Sequence, residues 1–343
     1  MVRPPTIRTL AQALRLAPST VSDALRGKGR VARATVKKVR ELARRTGYRA
    51  NPLTATVLGE LRRTKGTGYR GAIATLDLHE PTHWPHGPFP REMMAGARQR
   101  AGEMGFSIED FTVGTPALSM SRFEGILRSR GIHGIIVLPS WVPPNLSDLD
   151  WSRYAGIYTD SVTSIPALHS VCPDHHGSMM QLLERLLQRG YRRPGLIMER
   201  GRDLRINHRQ TAAFQAFQFH RPEIAAVPVL FTPGVPDQAE DFLPWFKEHR
   251  PDVVLSHFAE TLDWLDAAGS RGRSAASFVL LNVLERRRPC AALDLQPRVL
   301  GARAAELIVG QILRNDFGVP AWPSRNMIVA SWVEGPTVRA AST

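Results

Sequence analysis

From residue 71 onward, short apolar runs of strand length alternate with amphipathic stretches of helix length. Strand-like segments at 72–78, 106–112, 134–138, 155–158, 195–198, 227–231, 252–256, 277–282 and 327–333 are separated by helical patterns at 92–104, 121–130, 177–189, 210–220, 238–250, 261–267 and 299–314. Repeated strand–helix alternation yields parallel sheets with helices on both faces. About 270 residues is long for one such sheet and suits two. The apolar runs stay far below the roughly 20 residues of a membrane span, so no membrane partner is expected.

The first 70 residues follow a different rule. They hold 17 basic and 3 acidic residues (Asp23, Glu41, Glu60), a net of +14, which is the whole formal charge of the 343-residue chain. The remainder balances, and that neutrality is compatible with an uncharged ligand. A small basic module joined to a neutral body points to a polyanion as the partner of the module.

Within the module, Thr6 can cap a helix with Ile7, Leu10, Ala11 and Leu14 on one face. After a short break, 18–25 reads as a second helix with Val21, Ala24 and Leu25 inward and Ser19, Thr20, Ser22 and Asp23 outward; Gly27 and Gly29 end it. Thr35 can cap a third helix with Val36, Val39, Leu42 and Ala43 as its buried stripe. Three short helices with a tight second turn make a helix-turn-helix domain, whose second helix enters the major groove. Small side chains there allow close approach to base edges. Ala17 ends the preceding turn and Pro18 opens that helix, and Arg26, Lys28, Arg30, Arg33, Lys37 and Lys38 can meet phosphates. Asp23 at a base-reading position would accept from cytosine N4.

Other chemistries lack their residues. There is no Gly-rich phosphate loop of the Walker type, no Gly-x-Ser-x-Gly elbow and no spaced metal-ligand set, so neither an enzyme nor a cofactor is expected. Cys172 and Cys290 are too few for a disulfide framework or structural zinc. No signal peptide is readable at the start, which makes the cytoplasm the expected compartment.

The pattern Thr6-Ile7, Leu10-Ala11, Ser19-Thr20-Val21-Ser22, Leu25, Val31, Thr35, Val39, Leu42, Gly47-Tyr48 and Asn51 resembles the N-terminal signature of LacI/GalR transcription regulators. The resemblance implies a partner, double-stranded operator DNA, read as a palindrome by a homodimer. It implies DNA contacts at Tyr48 and Asn51 and a hinge helix beyond them. Val57 matches the apolar wedge that this helix inserts into the minor groove, and Leu58 stands beside it. The turn Leu14-Arg15-Leu16-Ala17 lacks the family's usual Gly.

The body matches more sparsely, at Val171-Cys172-Pro173-Asp174 and Gly177, at Gly190-Tyr191-Arg192-Arg193, at Asn207-His208-Arg209, and at Gly301, Ala304-Ala305 and Leu307-Ile308. The resemblance implies a periplasmic-binding-protein-like body of two parallel-sheet subdomains with a small sugar-like effector in the cleft. The expected division is 1–50 for the helix-turn-helix, 51–70 for hinge and linker, and 71–343 for effector binding and dimerisation. The N-subdomain is expected at about 71–162 and 294–322, the C-subdomain at about 163–293 and 323–343, with crossings near 160–164, 292–296 and 320–325.

Cleft ligands sit at the C-terminal ends of strands. In the loop after the first strand, Trp84 or Phe89 could stack on a sugar face and His79 could bond a hydroxyl. His79, His83 and His86 are close in sequence, but Pro81 and Pro85 break any helix that would align them, and no metal is expected. Arg209 matches the family's effector-binding arginine, which clamps ring hydroxyls or a carboxylate; a surface ion pair is the alternative. Asp160 and Asp174 stand at strand ends, where each either caps a turn or touches ligand. His257 and Asn282 occupy stretches where the family's usual Asn-Asp and Gly-Phe-Asp motifs are absent, which leaves open an unusual ligand or none.

Overall fold

The computed structural model describes residues 7–14, 16–26, 31–46, 70–78, 87–159, 165–233, 239–268 and 276–340. Two compact units divide the chain, Met1–Gly68 and Tyr69–Thr343.

In the first unit, α1 (Ile7–Leu14), α2 (Pro18–Arg26) and α3 (Arg33–Arg45) surround a core of Leu10, Ala11, Val21, Ala24, Val39 and Ala43. The apolar residues recur at helical spacing, so each helix buries one stripe. The α1–α2 turn closes with the Leu16 N–H donating to the Ala11 carbonyl at 2.9 Å. Thr35 does not cap α3. The extended backbone of Ala32 starts that helix, and Thr35 lies in its first turn with its N–H on the Ala32 carbonyl.

The second unit contains two six-stranded sheets. The first is built from β1 (Gly71–Leu78), β2 (Phe106–Val113), β3 (Gly134–Val137), β4 (Ala155–Tyr158), β5 (His169–Pro173) and β11 (Arg325–Ile328), ordered β11-β5-β4-β3-β1-β2 and parallel throughout. Alternate residues of each strand serve opposite faces. Ile73 and Ile136 pack with Met93, Leu300, Ala304 and Ile308 of helices α4 (Pro88–Glu103) and α11 (Pro297–Arg314). Ala74, Leu76, Ile135 and Val137 pack instead with Phe123 and Leu127 of α5 (Met120–Arg130).

The second sheet is built from β6 (Pro194–Glu199), β7 (Leu230–Thr232), β8 (Val253–Ser256), β9 (Ser277–Leu280), β10 (Ala291–Asp294) and β12 (Ser331–Val333), ordered β12-β10-β9-β8-β6-β7. All its pairs are parallel except β10 with β12. One face buries Leu196, Met198 and Leu255 against α6 (His175–Gln188) and α8 (Arg209–His220). The other buries Ile197, Val254 and Phe278 against α9 (Ala239–His249) and α10 (Thr261–Ala267). A six-residue helix, α7 (Arg200–Arg205), follows β6 directly.

Several boundaries differ from the sequence reading. The first crossing lies at Pro173–Asp174, not near 160–164, because pairing with β4 and β11 keeps 169–173 in the first sheet. The expected strand 327–333 is two strands in different sheets, so the last crossing falls at 329–330 rather than 320–325. The second crossing lies between β10 and α11. The helix expected at 92–104 begins at Pro88, because proline is tolerated in a first turn. The strand expected at 227–231 is Leu230–Thr232; Val227 is buried beside Trp245, whose indole N–H donates to the Pro228 carbonyl at 2.9 Å. The elements not anticipated are β5, β10, α7 and single turns of 3-10 helix at Trp151–Arg153 and Val283–Glu285.

The α4–α11 contact closes the first subdomain. A Cβ on Gly96 would overlap the Arg298 carbonyl, and one on Gly301 would overlap the Met93 carbonyl, so the two backbones touch where only hydrogen separates them. Gly301→Val should therefore destabilise the body by about 3 kcal/mol, since no rotamer relieves a clash with backbone. Gly125→Ala, on the exposed face of α5 with open space around its Cβ site, should instead add up to about 1 kcal/mol of helix propensity. Thermal unfolding of both variants checks the contrast; equal melting points would refute it.

Candidate functional site

In the first unit, Val21 and Ala24 of α2 are buried, while Thr20 and Asp23 are half-buried and Ala17 just before the helix is exposed. Ile7 opens α1, and Pro18, Ser19, Ser22 and Arg26 lie along α2. On α3, Arg33, Lys37, Lys38, Arg40, Arg44 and Arg45 are all exposed around a buried stripe of Val39 and Ala43, with Thr35 half-buried. Glu41 pairs with Arg44 at 2.9 Å. Thr6, Lys28, Arg30, Tyr48, Asn51, Val57 and Leu58 lie outside the described residues.

In the body, the residues with chemistry gather where strands end between the two sheets. Arg202 and Arg205 on α7 stand at the C-terminal end of β6, and Arg209 begins α8. The Arg202 and Arg205 guanidiniums lie 5.9 and 5.1 Å from the ring centre of Trp141, which belongs to the loop after β3 of the other sheet. A cation over an indole face is attracted by the ring quadrupole. Arg209 Nη1 donates to Met327 Sδ of β11 at 3.3 Å, again across the two sheets. His175, the first residue of α6, is buried at the first crossing, and its Nδ1 has no hydrogen-bond partner.

His257 lies behind the arginines. It is buried, with Nε2 2.8 Å from Gln210 Oε1 and Nδ1 3.3 Å from Arg202 Nη1. One tautomer satisfies both: Nε2–H donates to Gln210, and Nδ1 accepts from Arg202. Both ring nitrogens are therefore engaged, and His257 positions Arg202 rather than offering an edge to a ligand. Burial, then Arg202, His175 and Arg205, hold the His257 ring neutral. Burial first, and then Arg205, Arg202 and Arg209, push the His175 pKa down to about 3.

The acids nearby are differently occupied. Glu199 Oε2 is 3.9 Å from Arg202 Nε. Asp203, on the same short helix, turns inward: it accepts from Thr211 Oγ1 at 2.7 Å and pairs with His208 Nδ1 at 2.7 Å. Glu285 acts on Arg202 through its charge.

The other expected site residues have structural partners. Asp174 caps α6, accepting from the Gly177 N–H at 2.8 Å. Asn282 is buried and accepts from the Leu284 N–H at 3.2 Å, which caps a short 3-10 turn. Phe89, in the first turn of α4, is half-buried against the core of the first subdomain. His79, Trp84 and Asp160 lie outside the described residues, as do His83 and His86. Among the described residues, no three His, Cys, Asp or Glu groups are placed to hold a metal ion, and no helix is long and apolar enough to cross a membrane. Sequence reasoning missed Arg202, Arg205, His175 and Trp141. The available signal was compositional: 200–209 holds four arginines immediately after a strand.

Two imidazoles neutral in the folded chain and protonated when unfolded make stability depend on pH. Between about 6.5 and 3 the unfolded state binds more protons, so stability falls as pH drops through that window and is fully present above it. The urea midpoint should therefore fall more steeply between pH 7 and pH 5 in the native sequence than in His175→Gln. Parallel slopes would show that the buried imidazole does not contribute.

No family model matches the chain. It is 26% identical over 201 residues, 58% of its length, to an HTH-type transcriptional regulator of Mycolicibacterium smegmatis, of which the match covers 52%. A second HTH-type transcriptional regulator, from Mycobacterium tuberculosis, is 26% identical over 202 residues and is covered to 54%. The chain thus spans about half the length of the curated relatives it matches. Among solved structures, a complex of the transcriptional regulator CelR with cellobiose aligns at a TM-score of 0.59 and 17% identity, over 97% of this chain and 99% of that one. The lac repressor dimer bound to operator and the anti-inducer ONPF aligns at 0.57 and 15%, over 98% and 100%. The regulator CcpA of Lactococcus lactis aligns at 0.57 and 12%, over 78% and 99%. The chain has the fold of the LacI-family transcription regulators, the family that its first fifty residues resemble in sequence.

Proposed function

We propose that this chain is a sequence-specific DNA-binding regulator of transcription, acting as a repressor on a palindromic operator. It binds as a homodimer in the cytoplasm, and its DNA affinity is set by a small molecule held between the two α/β subdomains. The observation that carries this reading is the division of labour within the three-helix unit. The apolar residues of α2 and α3 go into the core, and the exposed surface of α3 is a row of cations. Exposed cations supply phosphate affinity without sequence choice, and α2 supplies the choice.

One helix-turn-helix reads a half-site, so two-fold pairing follows from the need for affinity and register. One structural neighbour is a repressor dimer on its operator and another is a regulator bound to cellobiose, which supports both halves of the reading. The hinge positions Val57 and Leu58 would wedge the minor groove at the dimer axis. A ligand favouring one arrangement of the subdomains needs only a few kcal/mol of differential affinity to shift DNA binding.

Binding-site selection from random DNA should return a palindrome, and affinity for it should weaken steeply with salt. Asp23→Asn should change the preferred base at one position of each half-site, by about 1–3 kcal/mol of discrimination. A gel shift with no preference for any palindrome over bulk DNA would sink the reading.

A further inference from the structure

The three helices of the first unit share one core, and α2 and α3 both turn their apolar stripes into it. Their exposed faces therefore point apart, and a duplex seated on α2 would reach α3 only at its edge. Yet cations cover both flanks of the exposed surface of α3. At about 3.6 residues per turn, Arg33, Lys37, Arg40 and Arg44 align on one flank, and Lys38 and Arg45 on the other. The first flank is concave: a shallow groove of about 390 Å³ is lined by its four cations together with Val36 and Glu41. Those cations span roughly 16 Å of helix axis, a length over which one DNA strand presents about five phosphates. The pattern costs the helix stability. Like charges three or four residues apart repel, as Arg33 and Lys37, Lys37 and Arg40, and Arg40 and Arg44 do. Arg33 stands in the first turn, where the helix dipole favours an acid and none is present. Glu41 pairs with Arg44 at 2.9 Å, whereas Arg33, Lys37, Lys38, Arg40 and Arg45 have no carboxylate partner among the described residues.

We propose that the groove flank of α3 is a second DNA-binding surface, which takes the sugar–phosphate backbone of a duplex other than the one α2 reads, so that the protein bridges two DNA segments. The inference goes beyond the proposed regulator and rests on its assignment of α2 to the first duplex. The cations are spread along the helix rather than gathered at a point, which suits a repeating polyanion and not a small anion. Val36, half-buried in the groove, offers an apolar contact to deoxyribose while the cations around it meet phosphates. Contacts of that kind hold a duplex without sequence choice. The first duplex also keeps neighbouring DNA close, which raises the effective concentration of a second segment.

The test uses the full chain seated on an immobilised duplex that carries both half-sites of the selected palindrome, so that each α2 of the proposed homodimer is occupied. A labelled duplex of random sequence is then offered in solution. The native chain should capture it, and capture should weaken steeply as salt rises. Lys37→Glu with Arg40→Glu should lower capture by roughly tenfold or more and change palindrome affinity by less than about threefold. The melting point of that variant should hold or rise, because each new carboxylate stands four residues from an arginine. Lys38→Glu with Arg45→Glu, on the opposite flank, should leave capture within about threefold of the native value. Failure of the native chain to capture the second duplex overturns the proposal, as does an equal loss in the opposite-flank variant. A palindrome affinity that falls in step with capture also overturns it, since the groove would then serve the first duplex. Single-stranded RNA or vesicles rich in anionic lipid, captured in preference to the duplex, overturn it in favour of another polyanion. If site selection returns no palindrome, the capture is repeated with a random duplex on the support. Groove-dependent bridging there leaves this inference standing while the sequence-specific regulator falls. A selected palindrome without capture does the reverse.

Discussion

The contact between α4 and α11 at Gly96 and Gly301 is the constraint on which the body depends. It joins residues about two hundred positions apart, so the first sheet is not complete until the end of the chain has returned to it. Two ion pairs flank the crossing, Arg298 with Glu92 and Arg100 with Glu306. Both are partly exposed and contribute modestly; backbone proximity and the buried surface of Leu300, Ala304 and Ile308 dominate. The return of β11 to the edge of the first sheet has a second consequence. The chain passes between the two sheets three times, at 173–174, 294–297 and 329–330.

Those ties are fastened close to the arginines. Ser178 Oγ accepts from the Ala330 N–H at 2.9 Å, and Gln296 Nε2 donates to the Val329 carbonyl at 3.0 Å, which links all three crossings through two hydrogen bonds. His175 sits at the first crossing and Met327 just before the last. These contacts therefore lie beside the segments whose backbone torsions set the angle between subdomains. That is the arrangement in which a few polar contacts can shift a population, because hinges are short and the packed layers on either side move as bodies.

The architecture was legible because its signals repeat. Strand and helix periods recur along the body, and three stripes of apolar residues specify the first unit. What was missed shares one physical character: it depends on which neighbour a residue meets, not on local pattern. The 327–333 run has the composition of one strand, yet only tertiary pairing shows that Met327 lies beside Cys172 while Trp332 lies opposite Leu293. Thr35 is a good capping residue, yet Ala32 has the extended backbone that begins the helix. His257 was chosen for its place at a strand end, and burial between Gln210 and Arg202 gives it a supporting role. The arginines of 200–209 were hidden by bookkeeping, since a neutral total says nothing about where each sign collects.

The protein thus gathers arginine in two places with opposite physics. On α3 the cations are exposed, keep their hydration and act at a distance that salt shortens, which suits sliding along a polyanion whose charges lie outside. Between the sheets Arg202 and Arg205 lie over the Trp141 indole, Arg202 also meets the His257 imidazole, and Arg209 meets the Met327 thioether. The fold keeps the two groups in separate units of the chain.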